Sequence, residues 1–212
     1  MLERFRSGWQ ATLTPPARAL LAMRVSPDAV TWAGTVLVVV LALLMFPRGL
    51  LWQGALVLTV FVLSDGIDGT MARLQGRTSN WGAFLDSSLD RLADGALFMG
   101  IALFYAGPGD SVLWTGLAIA ALVLGQLTSY VKARGESLGH SVRGGLAARA
   151  DRILALFLGA LLTGLARDAH LPAALEWALP LALCWLTTAG LVTVGQRMHQ
   201  VKLQAGRAGE GL

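Results

Sequence analysis

The chain has 212 residues, of which 55% are hydrophobic and only 14% are charged, whereas a typical soluble domain has about 25% charged residues. This composition argues against a water-soluble globular protein, and the mean hydropathy of +0.60 favours an α-helical membrane protein. The single cysteine, Cys184, excludes an intramolecular disulfide. The net charge of +4 is accounted for by membrane topology and no nucleic-acid-binding motif is present, so we expect no nucleic acid partner.

The first 24 residues predict an amphipathic helix that lies in the membrane interface. Leu2, Phe5 and Trp9 recur at helical spacing with arginines between them. Pro15 and Pro16 then interrupt the pattern before a second short stretch. A disordered basic arm is the alternative interpretation. No apolar run of the kind found in a cleavable signal peptide is present, so we expect this segment to be retained.

Six apolar stretches follow and predict six transmembrane helices in one membrane domain, residues 25–202. Ser26 provides an N-cap, and Pro27 suits the first position of a helix, directly before the first stretch. The Gly- and Ala-rich residues 203–212 predict a flexible tail. The predicted spans are residues 29–47, 50–74, 81–105, 111–131, 150–166 and 173–196.

The distribution of basic residues predicts the orientation of these spans. All but three of the 17 Lys and Arg residues lie in the N-terminal segment, in the connectors after the second and fourth spans, or in the tail. Of the three exceptions, Arg48 and Arg167 lie on the other side and Arg91 lies within the third span. Cytoplasmic loops are enriched in Lys and Arg. We therefore expect a multi-pass protein of the cell membrane with both termini in the cytoplasm.

Aspartates occur in the second and third predicted spans, where a charge costs about 2.5 to 3.5 kcal/mol on insertion scales. Asp65 and Asp68 are three residues apart, and Asp86 and Asp90 are four apart, so each pair shares a helix face. The short connector makes the two helices antiparallel neighbours, so the pairs converge near the cytoplasmic side. Such a cluster suits one or two hard cations such as Mg²⁺. Helix caps or ion pairs with nearby arginines are the alternative, and Asp94 fits either a supporting role or an ion pair.

These residues resemble the signature of a known family. The pattern Asp65-x2-Asp68-Gly69-x2-Ala72-Arg73-x8-Gly82-x3-Asp86-x3-Asp90 is similar to that of the CDP-alcohol phosphotransferases, with each fixed position at the expected spacing. The six-span layout with an N-terminal amphipathic helix also resembles this family. The resemblance implies an enzyme in which the hydroxyl of an acceptor attacks a CDP-linked donor and CMP is released.

The resemblance also implies how the four motif aspartates divide their roles. Asp65, Asp68 and Asp86 would be ligands of two Mg²⁺ ions, or of Mn²⁺ in their place. Asp90 would be a ligand of the second ion and the general base, which takes the proton from the attacking hydroxyl. The active site would then lie on the cytoplasmic side.

Further positions are implied to bind the CDP part of the donor. Gly69 would let the nucleotide approach the backbone closely, and Arg73 would contact phosphate or cytidine. The family also uses the start of its first span and the connector after the Ala-Arg pair, which in this sequence correspond to Asp28, Ala29, Val30, Thr31, Thr78 and Ser79.

The basic connector after the fourth span favours a phosphorylated acceptor, because choline, ethanolamine or serine would require far less positive charge. Arg149 and Arg152 lie three residues apart on a predicted helix and can face one anion. A cytoplasmic flank without a ligand is the competing interpretation of each basic residue here, and it is the better one for Arg143.

Within the family, residues 26–31, 64–73, 81–91 and 130–134 look most like the prokaryotic phosphatidylinositol-phosphate synthases. That subgroup implies CDP-diacylglycerol as the donor, inositol phosphate as the acceptor and a homodimer. By the same resemblance, Arg152, Arg197 and Lys132 would hold the inositol phosphate. A phosphatidylglycerol-phosphate synthase that uses glycerol 3-phosphate is the nearest alternative. A divalent-cation transporter is a distant one, since the sequence shows no internal repeat.

Overall fold

The computed structural model describes residues 2–64, 66–76, 79–146, 148–168 and 172–209, with side chains from residue 12 to residue 206 within these ranges. The described residues form helices and connectors without a strand, which confirms the all-α prediction for this part of the chain. The helices are α1 (Leu2–Ala22), α2 (Pro27–Met45), α3 (Leu51–Ser64), α4 (Gly66–Leu74), α5 (Asn80–Ala106), α6 (Val112–Ser137), α7 (Arg149–Asp168) and α8 (Ala178–Gly209), with 3₁₀ turns at Phe46–Arg48 and Ala173–Trp177.

Four segments of the described chain are long and apolar enough to cross a membrane, namely Pro27–Arg48, Leu51–Leu74, Val112–Ser137 and Ala173–Gly206. They correspond to the first, second, fourth and sixth predicted spans. Helices α5 and α7 correspond to the third and fifth spans and have 27 and 20 residues, so their length would suffice. Their charged residues distinguish them from the other four, because α5 contains three aspartates and Arg91.

The chain divides into two compact units. Unit 1 consists of Met1–Ala42 and Val57–Leu97, and unit 2 consists of Leu43–Leu56 and Phe98–Leu212. The single membrane domain of residues 25–202 remains a prediction.

In unit 1, helix α1 packs against α4. Leu13 and Ala17 of α1 are buried, and a Cβ at Gly66 of α4 would lie 3.0 Å from the Leu13 side chain. The predicted interruption at Pro15 and Pro16 is wrong, because α1 continues through both prolines. The buried residues on either side of the pair offset the backbone hydrogen bonds that two prolines remove.

The beginning of α2 agrees with the prediction. Ser26 Oγ accepts a hydrogen bond of 3.2 Å from the backbone N–H of Ala29, which is the N-cap geometry. Pro27 is the first residue of the helix. The local sequence therefore determines where α2 begins, and this point matters because the next residues reach the candidate site.

In unit 2, helix α8 packs against both α6 and α7, with glycines at the close contacts. A Cβ at Gly159 would lie 3.0 Å from Leu179 Cα, and one at Gly190 would lie 3.0 Å from Leu124 Cβ. Small residues let helix backbones approach closely in membrane proteins. Helix α8 extends to Gly209, six residues beyond residue 203, where the tail was expected to begin; the flexibility of the tail stays a prediction. Gln204, within this extension, bonds the connector that follows α6.

The turn after α1 places an arginine where a helix end usually has glycine. Val25 N–H donates to Leu20 O at 3.1 Å and Arg24 N–H donates to Leu21 O at 3.0 Å, which together form a Schellman motif. Arg24 is the left-handed residue of this motif, with φ at +60°. A side chain in this conformation costs about 1 kcal/mol relative to glycine.

We therefore expect Arg24→Gly to raise the free energy of unfolding by about 1 kcal/mol, because it relieves this strain. The measurement is the thermal midpoint of the purified protein in detergent. Arg24→Ala is the matched control, since it removes the guanidinium but keeps a Cβ in the left-handed conformation. A stability gain of equal size in both variants would contradict the interpretation.

Candidate active site

A cavity of about 910 Å³ lies in unit 1, within the size range of small-molecule sites. Its walls come from the end of α1 and the turn that follows, the start of α2, helix α4 and the start of α5. The aspartates Asp68 and Asp86 line this cavity, as expected from the motif.

Asp68 is a buried carboxylate with two hydrogen-bond donors. Thr31 Oγ1 donates to Asp68 Oδ2, and Gly69 N–H donates to Asp68 Oδ1 at 2.6 Å. A carboxylate without such partners would be costly to bury. The hydrogen bond from Thr31 therefore links α2 to α4 at the point where Asp68 faces the cavity.

Asp86, Asp90 and Asp94 follow each other at intervals of one turn on α5. Asp86 is exposed and interacts electrostatically with Asp68. Asp90 and Asp94 both lie near Arg91, whose Nη2 is 3.9 Å from Asp90 Oδ2 and 3.6 Å from Asp94 Oδ2. Asp94 is buried. The ion-pair interpretation of Asp94 is therefore favoured, and Arg91 also compensates the charge of Asp90.

The donor set fits a hard divalent cation, because Asp68 and Asp86 present carboxylate oxygens to one cavity. Within the described ranges, however, no three His, Cys, Asp or Glu side chains form a group that could hold a metal ion. Asp65, the third ligand implied by the resemblance, lies outside the described residues. The metal site, including Asp90 as a ligand, stays a prediction.

The residues implied to bind CDP divide into three groups. Asp28, Thr31, Gly69, Arg73 and Ser79 line the cavity together with Asp68 and Asp86. Ala29 and Val30 are not among its lining residues, since successive residues of a helix point in different directions. Thr78 lies outside the described residues.

Two of these cavity residues are held by contacts with α5. Trp81 Nε1 donates a hydrogen bond of 2.9 Å to Asp28 Oδ2. Ser79 Oγ accepts a hydrogen bond of 3.0 Å from Gly82 N–H, and thereby caps the N-terminus of α5. The hydroxyl hydrogen of Ser79 is still available to a ligand, because the cap uses only its acceptor.

Gly69 and Arg73 lie close to each other at the cavity wall. A Cβ at Gly69 would be 3.6 Å from Arg73 Nη1, and Arg73 Nη2 donates to Thr70 Oγ1 at 3.0 Å. The missing side chain at Gly69 therefore leaves space beside a guanidinium group, which suits an approaching phosphate.

Sequence reasoning did not identify three polar residues that line the same cavity, namely Arg24, Gln75 and Ser26, which it named only as an N-cap. Arg24 was assigned to the basic N-terminal segment. Its position two residues before Ser26 is the signal that could have placed it at the cavity, because Ser26 caps the helix whose first residues line the cavity.

In unit 2, two of the arginines implied to hold the acceptor converge on Thr128. Arg152 is buried, and its Nη1 donates to Thr128 Oγ1 at 3.2 Å. Arg197 Nη1 donates to the backbone oxygen of Thr128 at 2.6 Å. Gly125 makes room for Arg152, since a Cβ there would lie 3.6 Å from Arg152 Nε. The structure therefore brings together two cationic side chains that are 45 positions apart in the sequence.

The other two residues predicted to bind the acceptor phosphate are less closely tied to this pair. Lys132 is exposed, and its Nζ lies 3.9 Å from Glu136 Oε1 on the same helix. Arg149 is the first residue of α7 and is half-buried. Arg143, for which the sequence favours a cytoplasmic flank that binds no ligand, has an exposed side chain.

Residues 141–146, here called the strap, connect α6 towards α7 and bond one face of α8. Gln204 Oε1 accepts from Ser141 N–H at 2.9 Å, and Gln204 Nε2 donates to Ser141 O at 2.8 Å. Gln200 makes the same pair of bonds with Arg143, at 3.2 and 3.0 Å. Sequence reasoning missed the strap, since it depends on pairs of residues about 60 positions apart in the chain.

Three further bonds fix the second half of the strap. Arg197 Nε and Nη2 donate to the backbone oxygen of Gly144 at 3.2 and 3.0 Å, and Leu146 N–H donates to Thr193 Oγ1 at 3.1 Å. Gly145 has a φ of +130°, and a Cβ there would lie 2.5 Å from Thr193 Cγ2. Only glycine fits this position.

Comparison with known proteins agrees with the motif. The profile of the CDP-alcohol phosphatidyltransferase family matches residues 24–195. The phosphatidylinositol phosphate synthase of Cutibacterium acnes is 54% identical over 202 residues, which cover 95% of this chain and 98% of that protein. The enzyme of the same name from Streptomyces avermitilis is 45% identical over 98% of this chain and 85% of its own length.

Solved structures give the same result. The crystal structure of Mycobacterium tuberculosis phosphatidylinositol phosphate synthase with CDP-DAG bound matches with a TM-score of 0.83 and 37% identity, over 89% of this chain and 92% of that chain. The same enzyme in complex with manganese and citrate matches with a TM-score of 0.81, over 89% of this chain and 88% of that one. The chain therefore belongs to the CDP-alcohol phosphatidyltransferase family.

Proposed function

We propose that this protein is a phosphatidylinositol-phosphate synthase, which transfers the phosphatidyl group of CDP-diacylglycerol to a hydroxyl of inositol phosphate and releases CMP. The observation that carries the proposal is the cavity that Asp68 and Asp86 share with Thr31, Gly69 and Arg73. The relatives from Cutibacterium acnes and Streptomyces avermitilis support the choice of acceptor.

The residues of unit 1 supply the chemistry of transfer. The hydroxyl oxygen of the acceptor attacks the β-phosphorus, the bond from that phosphorus to CMP breaks, and Asp90 takes the hydroxyl proton. Arg73 contacts the diphosphate beside Gly69, and Asp28 and Thr31 hold the nucleotide at the start of α2. When bound, two Mg²⁺ or Mn²⁺ ions at Asp65, Asp68, Asp86 and Asp90 supply positive charge that neutralises the diphosphate and the departing CMP.

The residues of unit 2 supply the acceptor site. Arg152 and Arg197 both bond Thr128, so their guanidinium groups form a local concentration of positive charge that suits a phosphate monoester. Lys132 and Arg149 add positive charge to the same unit. This arrangement supports a phosphorylated acceptor over a neutral alcohol.

The membrane topology is part of the same proposal. Helices α5 and α7 join the four apolar segments to make six spans, and α1 lies in the membrane interface. The basic connectors place both termini and the active site on the cytoplasmic side of the cell membrane. The functional protein is a homodimer, by its similarity to the subgroup.

The first test is CMP release by the purified protein with CDP-diacylglycerol and Mg²⁺. We expect turnover with inositol 1-phosphate and none with free inositol or glycerol 3-phosphate. Asp90→Asn should lower CMP release by about 100-fold or more, because it removes the proton acceptor. Asp110→Asn, in the exposed connector before α6, is the matched control and should leave the rate unchanged. Turnover with glycerol 3-phosphate instead would assign the protein to the alternative.

A second prediction concerns the hydroxyl that bonds Asp68. We expect Thr31→Val to raise the Mg²⁺ concentration needed for half-maximal activity by about tenfold, since residues that orient metal ligands typically change metal affinity by 10 to 100-fold. Thr31→Ser retains the donor and should restore most of the affinity. Thr35→Val, at a buried threonine one turn further along α2, is the matched control. An equal effect of both valine variants would argue against a metal-related role for Thr31.

A third prediction concerns the acceptor site. We expect Arg152→Lys to raise the KM for inositol phosphate by about tenfold, because lysine cannot reproduce the planar arrangement of N–H donors. The KM for CDP-diacylglycerol should stay within about twofold. Arg143→Lys makes the same change at an exposed side chain and should alter neither constant. If the Arg152 variant changed only the donor KM, the assignment of the acceptor site would be wrong.

A further inference from the structure

One face of α8 bonds the strap along its whole length. Thr193, Arg197, Gln200 and Gln204 are spaced by four, three and four residues, so their side chains share this face. Their partners, in the same order, are Leu146, Gly144, Arg143 and Ser141. The partner numbers fall as the helix numbers rise, so the strap runs antiparallel to α8.

The side-chain amides of Gln200 and Gln204 make the hydrogen bonds to the strap backbone that a neighbouring strand would make in a sheet. A carboxamide carries one acceptor oxygen and an NH₂ donor, and each glutamine uses both on a single strap residue. Ser141 and Arg143 therefore have their N–H and C=O groups satisfied as in a strand pair. Val142, between them, is buried, and Gly135 leaves room for it, since a Cβ there would lie 2.6 Å from Val142 Cγ2.

The strap in turn bonds the guanidinium group of Arg197. The oxygen of Gly144 accepts two of its N–H groups, while the third bond goes to Thr128 O. Three bonds to two fixed oxygens determine the plane of the guanidinium group. Because this group binds phosphate in a directional way, any displacement of Gly144 would also turn the remaining N–H donors of Arg197.

We propose that Gln200 and Gln204 are positioning residues for the acceptor phosphate: they hold the strap, and the strap orients Arg197. This inference rests on the proposed function, because it assumes that Arg197 contacts a phosphorylated acceptor. The two glutamines touch neither substrate. They act through Gly144.

The test uses the purified full-length protein and the variants Gln200→Ala, Gln204→Ala and their combination. We expect the KM for inositol 1-phosphate to rise about fivefold in the double variant, with the KM for CDP-diacylglycerol within about twofold of its original value, because each glutamine contributes two hydrogen bonds. Gln196→Ala is the matched control, since Gln196 lies on α8 one turn before Gln200 and makes none of the strap bonds. It should change neither KM.

Hydrogen exchange provides a readout that does not require turnover. The backbone N–H groups of Ser141 and Arg143 should exchange faster in the double variant, whereas that of Leu146 should be less affected because Thr193 still accepts its hydrogen bond. Should the double variant fail to fold, Gln200→Glu serves in its place. It keeps an acceptor for Arg143 N–H but lacks the donor to Arg143 O, so a smaller rise in the acceptor KM is expected.

Two kinetic results would overturn the proposal. One is an unchanged acceptor KM although the strap exchanges faster. The other is an equal rise of both KM values together with a lower thermal midpoint, which a purely structural role would produce.

Turnover of glycerol 3-phosphate alone would refute the proposed function, yet a selective rise in that acceptor's KM would still support the role of the glutamines. If the protein turned over no acceptor, calorimetric binding of inositol 1-phosphate would decide: weaker binding in the double variant supports the proposal, and equal or absent binding refutes it.

Discussion

A carboxylate buried among apolar helices must find donors within the protein, and the arrangement of unit 1 follows from how Asp68 meets this requirement. The Thr31 hydroxyl and the Gly69 N–H bond its two oxygens, so the start of α2 and the start of α4 must stay together. The turn after α1 and the capped start of α5 complete the walls around it. The Asp68 carboxylate, which could bind a cation in the cavity, therefore also determines which helix ends meet there.

Local signals in the sequence predicted much of this arrangement. Ser26 and Pro27 mark the beginning of α2, and the spacing of Asp68, Gly69 and Asp86 brings these residues to one cavity. Such features depend on helical periodicity and capping, which act over a few residues. The family signature extends over fewer than 30 residues and was sufficient to identify the chemistry. Asp65 and Thr78 lie outside the described residues, so their roles stay predictions.

Other features depend on contacts between distant residues, and for these the sequence was insufficient. The continuation of α1 through its two prolines relies on packing against α4, and α8 extends past the predicted tail boundary to residues that bond the strap. The role of Arg197 is the clearest example. Its charge was evident from the sequence, but three of its N–H groups bond backbone oxygens of Thr128 and Gly144, which no local pattern indicates. A charge near an expected site can therefore organise the protein as well as the ligand.

The pairing of α8 with the strap also limits the number of residues that the strap can contain. Two residues of extended chain, from Ser141 to Arg143, advance by roughly 6.6 Å, and one helical turn from Gln200 to Gln204 advances by about 6 Å, so the two repeats coincide. A single inserted residue would shift the connector by roughly 3.3 Å, or about two helical residues, and the side chains at that height point to the opposite side of α8. No neighbouring register restores the bonds. The number of residues in the strap is consequently more constrained than the identity of the exposed ones.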